Sequence, residues 1–141
     1  MISGDLHMNL STVAKEKKAG SCKFRTLGRG IVSLLFMYIG LIHFVRPGKF
    51  IQITPDFLPY KKELVYVSGF FEILGGAGLL IPQTRKAAGI GLIALLFAVF
   101  PANINMAVNK IDFGSIPTWV LWARLPLQFL LIYWVRAVSK D

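Results

Sequence analysis

The sequence predicts an all-α integral membrane protein, a four-helix bundle with both termini on the cytoplasmic side. Three observations carry that prediction. Charged residues make up only 16% of the 141-residue chain, against 55% hydrophobic ones, whereas a soluble domain is about a quarter charged. The mean hydropathy is +0.59, and the apolar residues gather into four long runs. The length suits one domain.

The elements follow in order. Residues 1–30 carry six of the sixteen Lys and Arg residues, at Lys15, Lys17, Lys18, Lys23, Arg25 and Arg29. This stretch is read as a basic, disordered cytoplasmic extension. The first apolar run, Ile31 to Val45, reaches membrane length if Gly28 to Gly30 join it, giving a helix over about 28–46. A span needs roughly 20 residues to cross about 30 Å of hydrocarbon. GLIHFVRPGKF offers no small-residue cleavage site, so this run is an uncleaved first helix and not a signal peptide. The remaining spans are placed at about 64–81, 87–108 and 118–137, within a four-span domain over 31–138. Pro82 to Lys86 is too short for anything but an antiparallel hairpin between the second and third spans.

The outer loop, Arg46 to Glu63, holds Pro47, Pro55 and Pro59, which forbid a long helix. It also holds Phe50, Ile51, Ile53, Phe57, Leu58 and Tyr60. Such a loop lies in the membrane interface. It serves either as an aromatic belt or as a cover over the mouth of the bundle.

The net charge is +9, and its placement decides its meaning. Ten basic residues fall on one side: the N-terminal six with Arg85, Lys86, Arg136 and Lys140. Five fall on the other: Arg46, Lys49, Lys61, Lys62 and Lys110. This bias sets orientation and contacts anionic lipid of the cytoplasmic (inner) membrane. It is not a nucleic-acid footprint. The single cysteine, Cys22, excludes an internal disulfide or a dithiol redox pair.

Each span carries polar residues at comparable depth. Glu72 lies about 12 Å and Arg124 about 10 Å below the outer ends of their helices, at 1.5 Å per residue. Charges in a span turn away from lipid, so the two are expected to pair. Ser68, Glu72, Gly75, Gly76 and Leu79 form one stripe on the second span. Ser33, Gly40 and His43 form one on the first. Gly91, Ala94, Ala98, Ala102 and Asn105 form one on the third, while Asn103 lies about 200° from Asn105. Arg124 and Gln128 share a face of the fourth. The candidate polar cluster is therefore His43, Glu72, Asn105 and Arg124, with Gln128 beneath. It is either a buried network fixing helix register or a binding or proton-handling site. His43 has no second histidine at helical spacing, so no metal or haem site is read within the chain. GGAG is helix packing and not a phosphate loop, since no strand precedes it.

The segments GLIHFVRPGKF, ITPDFLPYKKELVYVSGFFEILGGAGLLIPQTRKAAGIGLIALLFAVFPANINMA and WARLPLQFLLIYW together resemble the DoxX family of small membrane proteins. The resemblance covers about Ile31 to Arg136. Its marks are His-Phe near the end of the first span, SG-x-x-E in the second, FPAN in the third and RLPLQ in the fourth. It implies a four-helix bundle in the cytoplasmic membrane and a role beside redox enzymes. The family takes its name from a small subunit linked to quinone reduction. The positions carried over are His43, Glu72, Asn103 and Arg124, so both Asn103 and Asn105 stay in the candidate set. The function expected is an accessory component of a membrane redox system that binds a quinone or another small apolar ligand. It would act as a subunit of a membrane oxidoreductase and not as a stand-alone enzyme. Its partners would be the bilayer, a membrane or peripheral redox protein, or further copies of the chain. The alternatives are a structural or assembly partner of another membrane protein and an oligomeric small-molecule transporter.

Overall fold

The structure is a computed structural model that describes residues 2–110 and 116–140, with side chains from residue 9 onward. Among the described residues there are five helices and no strand: α1 (Ile2–Val45), α2 (Pro47–Ile53), α3 (Lys61–Leu80), α4 (Arg85–Val108) and α5 (Thr118–Ser139). The stretches Asn9–Val45, Lys61–Leu80, Arg85–Val108 and Thr118–Ser139 are long and apolar enough to cross a membrane. The chain is a multi-pass helical membrane protein. The three later spans lie within three residues of their expected bounds.

The first helix departs from expectation. It has 44 residues, about 66 Å at 1.5 Å per residue, roughly twice the hydrocarbon thickness. The stretch expected to be disordered makes up its N-terminal two thirds. Two physical reasons account for this. Propagating a helix from an existing one avoids the nucleation barrier, and Leu, Ala, Lys and Glu are good helix formers. Two of the basic residues are also anchored. Arg25 Nη2 donates to the Lys140 carbonyl at 2.9 Å, and Arg29 Nε donates to that of Val138 at 3.0 Å. These are the orphan carbonyls at the end of α5, where a cation is favoured.

The long helices form a ring in which α1 packs on α3, α3 on α4, α4 on α5, and α5 back on α1. The α3–α4 hairpin closes as expected. Thr84 Oγ1 donates to the Gly78 carbonyl at 2.9 Å and Arg85 Nε to that of Leu79 at 3.1 Å. This turn marks one end of the bundle, and α2 lies across the other.

The α1–α3 contact is the tightest. A Cβ added to Gly40 would lie 2.6 Å from the Gly69 carbonyl oxygen, and one added to Gly76 would lie 2.8 Å from that of Ser33. Ser33 and Gly40 are seven residues apart, and so are Gly69 and Gly76. The antiparallel pair therefore meets at two points two turns apart. Small residues there let the backbones approach and make up in dispersion what lipid-solvated helices lack in hydrophobic drive.

Two apolar clusters bracket the interior. At the turn end Val32, Phe36, Leu79, Leu92 and Val135 pack together. At the α2 end Ile53 packs with Met106, Ala107 and Leu121. On α4 the core is thus filled by Leu92, Leu96 and Met106. The small-residue stripe was expected to mark that face. Gly91, Ala94 and Ala98 are exposed instead, because large side chains fill the centre of the ring better than small ones.

Candidate functional site: a polar cavity beneath α2

A cavity of about 650 Å³ lies between the two apolar clusters. Its wall is mostly apolar. His43, Ser68, Glu72, Asn103, Arg124 and Gln128 supply polar groups from all four long helices. Five of the six predicted cluster residues therefore meet there. Asn105 does not. Its Nδ2 donates to the Ile53 carbonyl at 2.9 Å, and its Oδ1 accepts from Asn109 Nδ2. Asn105 thus ties the end of α2 to α4, and Asn103 is the asparagine that faces the cavity. The two asparagines diverge as helical rotation requires, but it is Asn103 and not the expected Asn105 that turns inward.

The loop reading resolves in the same region. Pro47 occupies the first turn of α2, where its missing N–H costs nothing. Phe50, Ile53 and Leu58 turn in and line the cavity, while Phe57 and Tyr60 stay exposed. Phe50 stacks flat on the His43 ring, with centroids 3.8 Å apart and planes at 22°. The segment covers the mouth of the bundle and leaves two aromatic side chains outside. Asp56 accepts a hydrogen bond from Lys61 Nζ at 2.5 Å. That bond and the ammonium's charge hold its carboxyl below the usual carboxylate range. The pair is exposed and tethers the loop only weakly.

Glu72 and His43 owe their positions to the two glycines. A Cβ on Gly69 would meet that of His43 at 2.6 Å, and one on Gly40 would meet that of Glu72 at 3.1 Å. Each glycine makes room for the polar residue of the facing helix. The result sets His43 Nδ1 3.3 Å from Glu72 Oε2. The same nitrogen lies 2.8 Å from the Ile39 carbonyl oxygen. One N–H serves one acceptor well. When it donates to Ile39, Glu72 Oε2 is left without a hydrogen-bond partner, as is Ser68 Oγ. Glu72 is only 6% exposed, so that oxygen has no bulk water to turn to.

The expected Glu72–Arg124 pair does not form. No ion pair among the described residues joins Arg124 to a carboxylate; its guanidinium donates to Met106 Sδ at 3.7 Å. Both side chains line the cavity, but distance along a helix says nothing about position around the ring. α3 and α5 sit on opposite sides of it, so Glu72 and Arg124 look at one another across the cavity. A double-mutant cycle on thermal stability checks this. His43→Gln with Glu72→Gln should show coupling of about 0.5–3 kcal/mol, and Glu72→Gln with Arg124→Met markedly less. Stronger coupling in the second cycle would restore the original pairing.

Asn103 and Gln128 form the satisfied part of the site. Asn103 Nδ2 donates to Gln128 Oε1 at 2.6 Å, and Gln128 Nε2 donates to the Leu96 carbonyl. That carbonyl is one residue before the one freed by Pro101, where the helical ladder loses a donor. The pair cross-links α4 and α5 and leaves the guanidinium of Arg124, one turn away on α5, over the cavity.

In comparison with known families, residues 32–139 match a family described as a domain of unknown function, DUF8561. The chain belongs to that family. The match takes in the last 14 residues of α1 and all of α2, α3, α4 and α5, and so every residue that lines the cavity. No curated protein and no solved structure matches the chain. Sequence reasoning missed Phe50, Gly69 and Met106 as parts of this site. Phe50 was one of several aromatics in a loop, Met106 gave no polar signal, and Gly69 was passed over for its neighbour Ser68.

Proposed function

We propose that this DUF8561 protein binds a quinone or another small apolar ligand in the cavity, as an accessory component of a membrane redox system. One observation carries the reading. A guanidinium without a carboxylate partner and a buried carboxylate oxygen without a hydrogen bond face the same apolar cavity. Charged groups inside a span are costly and are paired or functional. Buried polar atoms without partners ask for a ligand or water. The resemblance to the DoxX family supports the same reading, since its four carried-over residues, His43, Glu72, Asn103 and Arg124, all line the cavity.

The donor set suits a ligand carrying carbonyl oxygens on a compact ring. Arg124 donates to an oxygen, and charge-assisted bonds of this kind are strong at low dielectric. His43 and Glu72 hold a proton on the opposite wall, and Phe50 keeps the imidazole in place. The Asn103–Gln128 pair fixes the α4–α5 wall. A quinone, when bound, supplies two-electron chemistry. The chain holds no dithiol pair, so electrons come from a membrane or peripheral redox protein.

The same proposal sets the protein in the cytoplasmic membrane with both termini inside, on the ten-to-five bias of basic residues. Reporter fusions to either terminus should then read cytoplasmic, and an external C-terminus would reverse the topology.

Organic extraction of the protein purified in mild detergent tests the ligand. A reduced-minus-oxidised ultraviolet spectrum should show near-stoichiometric quinone in the wild type and none in folded Glu72→Gln. Absence from both would leave the polar groups as a register-fixing network, a role the Asn103–Gln128 bond already serves.

A further inference from the structure

The cavity is not closed on all sides. Val67 and Phe71 of α3 line it, yet they are 51% and 50% exposed, and Ala98 of α4 is exposed beside them. Toward the turn end the helices draw together, with Gly75 against Leu92 and Gly78 against Ala88. Toward α2 the space between α3 and α4 belongs to the cavity wall. The interior thus opens sideways, toward the hydrocarbon of the bilayer.

A second concavity adjoins the first at Phe71. It measures about 480 Å³ and runs along the outside of the α3–α4 pair to the turn, past Leu74, Gly78, Ile81, Ala87 and Gly91. Phe71 is a wall of both spaces. From Phe71 to Ile81 the groove is about 15 Å long at helical rise. Its surface is apolar, and its one hydroxyl, Thr84, already donates to Gly78 and Ile81. The exposed small residues of α4 thus have a use: Gly91 leaves the groove open, and a Cβ there would touch nothing within 4 Å.

A cavity whose polar groups include an unbonded, buried Glu72 oxygen shares Phe71 as a wall with a long apolar groove on the outside of the α3–α4 pair. We propose that the ligand is an amphiphile, a compact carbonyl-bearing ring on a hydrocarbon tail, that enters from the bilayer between α3 and α4 and leaves its tail in the groove. This inference rests on the cavity being a ligand site. It adds the class of ligand, the route and the tail's position. A tail in this groove exchanges lipid contacts for fixed protein contacts while the ring leaves lipid for the polar end.

Two probes and two proteins test it. The probes are a dimethoxy-methyl-benzoquinone ring without a tail and the same ring with a decyl tail. The proteins are the wild type and Gly91→Leu, each in lipid nanodiscs, with binding read from quenching of tryptophan emission. The tailed probe partitions equally into both sets of nanodiscs, so the ratio between proteins isolates the groove. Gly91→Leu should weaken the decyl probe by about threefold to tenfold, since a filled groove takes away the tail's fixed packing contacts and returns it to lipid. It should leave the tail-less probe within about twofold. Ala87→Leu, nearer the turn, should repeat the effect in smaller degree. Equal affinity of the decyl probe for wild type and both variants, with the tail-less probe still binding, would overturn the groove and leave the cavity standing. If neither probe binds the wild type, the ligand site and this inference fall together.

Discussion

Gly69→Leu is expected to prevent the bundle from forming. Even the first carbon of a side chain there would sit 2.6 Å from His43 Cβ and 2.8 Å from the Gly40 carbonyl oxygen. One of those contacts is backbone on an adjacent helix, so no rotamer change relieves it. Overpacking in a well-packed site costs about 1–3 kcal/mol and more where the surroundings cannot move. Native stabilities are only about 5–15 kcal/mol. Forcing α1 from α3 also parts the second meeting point, Ser33 on Gly76, and pulls His43 from Glu72. Gly69→Ala should fold with a lower midpoint of thermal unfolding in detergent, and Gly69→Leu should not accumulate as a monodisperse species. Gly91→Leu is the control, because its Cβ meets open space. Equal midpoints for Gly69→Leu and Gly91→Leu would remove the α1–α3 contact from the account.

Arg124→Met is expected to do the opposite to stability and to abolish binding. A residue that holds a fold together loses stability when truncated. A cation in a span whose one partner among the described residues is a thioether does not behave so. Its insertion is costly by about 2.5–3.5 kcal/mol on translocon scales at the centre of a span, and less nearer the ends. A methionine of similar length removes that cost and keeps the packing against Met106. The midpoint of thermal unfolding should therefore stay level or rise. A fall of several degrees would mean that Arg124 stabilises the bundle and would favour the network reading.

The spans were legible because lipid imposes one simple demand on sequence, a run of about 20 apolar residues. The hairpin was legible because Pro82 to Lys86 leaves no room for another geometry. The N-terminal part of α1 was not, because a basic run beside a span gives no sign that the helix propagates through it or that Arg25 and Arg29 reach the end of α5, more than 100 positions away. The stripe on α3 was read at a period of 3.6, which favoured Ser68. The packed residues Val65, Gly69, Glu72, Gly76 and Leu79 follow the period of 3.5 that antiparallel helices adopt when they wrap one another. On α4 small residues were taken for the packing face, although small residues also mark a face that something else must approach. For the site, depth was readable and position around the ring was not. Hence Glu72 and Arg124 share a cavity, as expected, without forming the expected pair. The stack of Phe50 on His43 had no signal in the chain beyond an aromatic in a proline-rich loop.

The most direct test of the cavity as a ligand site is a titration of the tail-less benzoquinone into wild type and Arg124→Met in nanodiscs, with helicity and thermal midpoint recorded on the same samples. The account predicts saturable binding at one site per chain in the wild type and none in a variant that is folded and at least as stable. Binding that does not saturate, or that survives unchanged in Arg124→Met, would contradict it, and the polar residues beneath α2 would then be parts of the scaffold alone.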